Sequence, residues 1–132
     1  MKPGISKAKK AVFVDKAKPW MRPYMPGYVN HPVYSTWAMI RAMECAARKL
    51  LQPYLEEGED AVGCEVKAQH LAPAALGETI RVTAKFKGVK GPVITCRLEA
   101  HCGKSKIGEG EHKQFVFSRD RYRKFLKHAN NR

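Results

Sequence analysis

Three side chains stand out by type and setting: Thr36, Glu44 and His70. Glu44 lies in "VYSTWAMIRAMECAARKLLQPYL", residues 33–55, among Met43, Cys45, Ala46 and Ala47. A carboxylate at the edge of an apolar helix face is either an ion-pair partner or a working group. Arg48, four residues on, would be the ordinary partner. His70 closes the apolar alternation of "AVGCEVKAQH". A carboxylate can attack an acyl carbonyl or activate water as a base, and an imidazole near neutrality can carry the proton. Thr36 adds a hydroxyl at the start of the helix. It is eight residues from Glu44, roughly 12 Å along a regular helix. A substrate would have to span the two, or Thr36 would belong to the preceding loop and fold back. On pattern alone the plain alternatives stay open: a surface partner of Arg48, a structural histidine, a helix cap.

The elements that must position these groups are legible as periodicities. Ser35 or Thr36 suits a helix N-cap. Met39, Ile40, Met43, Ala46, Ala47, Leu50 and Leu51 fall on one arc at 100° per residue, with Arg41, Arg48, Lys49 and Gln52 opposite and Glu44 at the border. Residues 10–15, "KAVFVD", predict a first strand. After the helix, three segments alternate with period two. Val62, Cys64, Val66, Ala68 and His70 share one predicted face. Ile80, Val82, Ala84 and Phe86 form the second set, and Ile94, Cys96, Leu98, Ala100 and Cys102 the third. "GEGEHKQFVFS" predicts a last strand. The glycine-bearing connections "GVKGP" and "GKSKIG" are hairpin-length. One long helix and one antiparallel sheet must bury their apolar faces on each other. The expectation is a single α+β domain over residues 1–132: a hotdog fold, with the sheet wrapped around the helix. Pairing of sheet edges predicts a homodimer.

"KPWMRPYMPGYVNHP", residues 18–32, holds four prolines and cannot form a long regular element. Its Trp20, Met21, Tyr24, Met25 and Tyr28 predict a lid over a groove or a partner.

Composition bounds the function. The net charge is +13, but it is concentrated at the ends. Residues 1–23 carry seven Lys/Arg against one Asp, and residues 119–132 carry six against one. Segments 1–10 and 119–132 are therefore predicted as basic tails, the second as a frayed helix or coil. Tails without an aromatic-interleaved strand face rank nucleic acid low as a partner. No apolar run approaches the roughly 20 residues of a membrane span, and a cytoplasmic location is expected. The four cysteines, Cys45, Cys64, Cys96 and Cys102, form no CxxC pair, and free thiols are expected, those on strands buried. His31, His101, His112 and His128 form no ligand spacing, so neither metal nor cofactor is expected.

"VYSTWAMIRAMECAA", "LQPYLEEGEDAVGCEVKAQHLAPAALGETIRVTA" and "KIGEGEHKQFV" together resemble the fluoroacetyl-CoA thioesterase family of hotdog proteins, from about Val33 to Val116. The resemblance implies hydrolysis of a short acyl-CoA, a dimer, and no metal. It implies a catalytic set at Thr36, Glu44 and His70, and a glycine near the thioester carbonyl at Gly63. A family arginine falls on Gln114. Gln114 and Tyr28 of the lid are candidate substrate contacts. The rival classes are an acyl-CoA sensor without turnover and a nucleic-acid binder acting through the basic ends.

Overall fold

A computed structural model describes residues 1–130. Strand β1 (Ala11–Lys16) is followed by a small hairpin of β2 (Tyr24–Met25) and β3 (Val29–Asn30), then helix α1 (Thr36–Leu51). Four long strands follow: β4 (Glu59–His70), β5 (Thr79–Lys90), β6 (Val93–Cys102) and β7 (Ser105–Ser118). Helix α2 (Arg119–Ala129) closes the chain. The main sheet is antiparallel, in the order β1-β5-β6-β7-β4, and it curls around α1 as the hotdog expectation requires.

Ser35 caps α1, its hydroxyl accepting from the Ala38 N–H at 3.1 Å. Gln52–Tyr54 tightens into a 3-10 turn at Pro53, where the missing N–H ends the helix. Ala38, Met39, Ala42, Met43, Ala46, Ala47, Leu50 and Leu51 form its buried stripe. The alanines let the helix axis come close to the sheet. The facing side chains are Ile80, Val82 and Ala84 on β5, and Ile94, Cys96, Leu98 and Ala100 on β6, all buried. Tyr34, just before the helix, is buried and donates its hydroxyl to Asp15 at 2.8 Å. Burial and that carboxylate push the Tyr34 pKa far up, so it stays protonated.

Strand β4 departs from its sequence pattern. Its register against β7 slips between Gly63 and Glu65. Ala61 pairs with Val116 and Gly63 with Gln114 before the slip, and Val66 pairs with His112 and His70 with Gly108 after it. Directly paired residues share a face. The inner face of β4 is therefore Ala61, Gly63, Val66, Ala68 and His70. The bulge turns Val62 outward beside Phe115 and leaves Cys64 exposed. A strict period of two over Val62, Cys64 and Val66 is thus incorrect, and so is a buried Cys64. All four cysteines are free.

The basic N-terminal segment is folded onto the body. Ile5 is buried in the core, and the Lys2 N–H reaches the Tyr54 carbonyl at 2.6 Å. At the other end, residues 119–129 form a regular helix with no buried side chain. Residues 131 and 132 of the expected C-terminal tail lie outside the described residues. Among the described residues, no helix is long and apolar enough to cross a membrane.

Candidate active site

The candidate residues other than Tyr28 lie between the inner face of β4–β7 and the side of α1. Because Ser35 takes the cap, Thr36 at the first helical position is free to use its hydroxyl elsewhere. Thr36 Oγ1 lies 2.8 Å from His70 Nδ1. Burial lowers the His70 pKa from its ordinary value. The ring is therefore neutral at neutral pH and able to accept a proton. Its Nε2 is buried with no protein partner among the described residues.

Glu44 is not bonded to Arg48. The Arg48 guanidinium is committed to the Asp60 carboxylate, to the Ala61 carbonyl at 2.8 Å and to Gln52 Oε1 at 2.7 Å. Nor does Glu44 meet His70. Its Oε1 lies 3.3 Å from Nε2 of His112, a residue only 2 % exposed, while the Glu44 side chain is 51 % exposed. Both groups stand over Gly63, where a Cβ would come within 2.9 Å of His112 Nε2 and 3.1 Å of Glu44 Oε1. Glycine is required there by close approach.

Two helix residues thus take two different histidines. Glu44 and His70 face the same interior surface, and register holds them apart along it. His70 pairs with Gly108, four residues along β7 from His112. Eight helical residues rise roughly 12 Å and four strand residues roughly 13 Å. The pairs Thr36–His70 and Glu44–His112 therefore sit at matched ends of one interface. The signal for His112 was present in "GEGEHKQFVF": it is in phase with Gln114 and Val116, the buried side of β7.

Gln114 follows His112 on the same face and is 2 % exposed, with Nε2 unpartnered among the described residues. It sits opposite Gly63 in the sheet, so it belongs to the same corner. Tyr28 does not: it is 91 % exposed at the turn of the β2–β3 hairpin. The hairpin's anchor is Met21, which is buried. Trp20 stacks on Trp37 at 5.9 Å between centroids, and Arg41 lies 5.5 Å over Trp20. The loop therefore rests on the first turns of α1.

Glu44 also forms part of the wall of an open groove of about 660 Å³, with Phe13, Arg41, Cys45, Lys49 and Pro53. A second groove of about 570 Å³ lies on the outer side of the sheet beneath α2, lined by Val62, Phe115, Phe117, Tyr122 and Phe125. It contains none of the candidate residues. Among the described residues, no cluster of three or more His, Cys, Asp or Glu could hold a metal ion.

A long helix held in a curled antiparallel sheet, with hydroxyl, carboxylate and imidazole groups at their junction, defines the hotdog class of thioesterases. Residues 20–120 match the family model described as FlK, the fluoroacetyl-CoA-specific thioesterase, and the chain belongs to that family. The fluoroacetyl-CoA thioesterase of Streptantibioticus cattleyicolor is 34% identical over 101 residues, 76% of this chain and 73% of that protein. A crystal structure of a Thermus thermophilus thioesterase superfamily member superposes with a TM-score of 0.92 at 32% identity, covering 98% and 96% of the two chains. The FlK crystal structure itself gives a TM-score of 0.82 at 28% identity, over 92% and 94%. The chain is a thioester hydrolase.

Proposed function

We propose that the chain hydrolyses short-chain acyl-CoA thioesters, substituted acetyl groups included, using Glu44, His70 and Thr36. The observation that carries this reading is the setting of Glu44: half exposed, free of Arg48, and held over Gly63 at the helix–sheet junction. Two chemical routes fit such a carboxylate. It can attack the thioester carbonyl, expelling the CoA thiolate and leaving a mixed anhydride that water then cleaves. It can instead remove a proton from the attacking water. In either route neutral His70, oriented by Thr36, is suited to take a proton and return one to the leaving thiolate. The Gly63 backbone is a candidate for holding the developing oxyanion. Gln114 is a candidate polar contact for the acyl group, as an unpartnered buried donor across from Gly63. Arg41 on the groove rim is a candidate for the CoA phosphates.

The long edge strand β4 pairs with β7 on one side only, and its inner face leaves Val66 exposed. Both features support a homodimer formed along this edge. The four free thiols suit the cytoplasm.

The test is release of free thiol from a panel of acyl-CoAs graded by chain length and substitution. Turnover of short acyl-CoAs that disappears in Glu44→Ala supports the reading. Binding of acyl-CoA without turnover across the panel would replace the enzyme by a sensor.

A further inference from the structure

We propose that His112 is the positioning residue for Glu44, and that the site works as two separate helix–strand pairs. The inference rests on the reading of Glu44 as the working carboxylate. An ionised carboxylate oxygen only accepts hydrogen bonds, so the contact between His112 Nε2 and Glu44 Oε1 at 3.3 Å places the proton on Nε2. His112 Nδ1 is then a bare acceptor, and it is buried without a protein partner among the described residues. A residue serving only to fill space here would be apolar. Its neighbours across the sheet, Val66 and Cys96, give the ring no hydrogen bond. A buried imidazole with one unmatched nitrogen costs stability that an aliphatic side chain would not. Its one polar contact within the described residues is Glu44.

The ring is 2 % exposed, so it cannot approach a substrate beside the half-exposed Glu44. Its effect must pass through the carboxylate. By tethering one oxygen, it removes the rotations a free glutamate would explore. Gly63 completes the arrangement, since a Cβ there would come against both His112 Nε2 and Glu44 Oε1. His70 is then released from any duty to Glu44 and serves with Thr36 alone.

The experiment compares the full-length chain with His112→Leu, which keeps the volume, and His112→Gln, which restores a side-chain N–H donor. Folding is checked by circular dichroism. In the Leu variant, kcat should fall by about 10-fold to 100-fold with KM nearly unchanged, and Gln should recover much of the loss. In the background of Glu44→Ala, His112→Leu should cost almost nothing more. Imidazole ¹⁵N resonances of the folded wild type give a second reading that does not depend on a folded variant. They should show the Nε2–H form of His112, perturbed by Glu44→Gln. A folded His112→Leu with wild-type kcat, a loss additive with Glu44→Ala, or an Nδ1–H ring indifferent to Glu44→Gln would each overturn the proposal. Full activity in Glu44→Ala would instead overturn the underlying reading of the site, which separates the two failures.

Discussion

Thr36 Oγ1 and His70 Nδ1 meet at 2.8 Å, tying the first residue of α1 to the last residue of β4. Thr36 is available because Ser35 satisfies the helix end. Replacing Thr36 by Val keeps its shape and removes the hydroxyl. The expected result is a fall in kcat of about 10-fold or more, with the helix intact because the cap is untouched. Thiol-release kinetics and circular dichroism check both halves of this statement.

Burial holds the His70 pKa below its ordinary value. The unfolded chain therefore takes up a proton at this position before the folded chain does. The stability contribution is fully present above about pH 6.5 and is lost as the pH falls toward the folded value. Urea midpoints measured at about pH 7.5 and pH 5.5 should drop more in the wild type than in His70→Gln. The activity of the wild type should stay flat down through neutrality and fall only below the usual histidine range.

Glu44→Ala should lower kcat by about 100-fold or more, the scale of a lost acid–base or nucleophilic group. The substitution also strips the buried His112 of its one polar contact, so the thermal midpoint should fall by a few degrees while the fold is kept.

Arg48 separates the two readings of Glu44 that the sequence left open. Its bonds go to Asp60, Ala61 and Gln52. The ion pair with Asp60 is more than a third exposed on both sides, so solvent screening limits its worth to well under about 1 kcal/mol. Arg48→Ala should leave kcat within a few-fold of the wild type, with a small loss of stability. A loss of activity matching that of Glu44→Ala would restore Arg48 as the partner of Glu44.

Gly63→Ala introduces a methyl group 2.9 Å from a buried imidazole nitrogen. Glu44 can swing aside cheaply, whereas the His112 ring is packed and cannot. The variant should fold and lose about 100-fold in kcat, as expected for a displacement near 1 Å. The same substitution at Gly108 would drive a methyl group into Met39 Sδ, where the cost should fall on stability.

Much of this is legible in the sequence. The helix showed itself through its apolar arc and cap, and β5 and β6 through unbroken alternation, because each buries one clean face. The two disagreements have different causes. Period two assumes a strand without extra residues, and the bulge at Cys64 adds one, so the alternation puts Val62 and Cys64 on the wrong face. His112 is not marked by local pattern, because "GEGEHKQF" is polar and glycine-rich and carries no metal-ligand spacing. Which histidine Glu44 takes depends on how far α1 advances along β7, a tertiary register that local pattern does not encode. The lid was partly legible: Met21 anchors it and Trp20 packs on Trp37, while Tyr28 points to solvent.

The slip between Gly63 and Glu65 gives β4 two reading frames. Residues before it present odd positions to the helix, and residues after it present even ones. Flattened with Cys64 kept, the strand would put Gly63 and His70, seven positions apart, on opposite faces. To keep Gly63 beneath Glu44, the chain would have to turn His70 toward the outside. To keep His70 on Thr36, it would have to bring Val62 inward and lift Gly63 away. The bulge acts as a clutch between the two halves of the site, letting each keep its own phase on a single continuous strand.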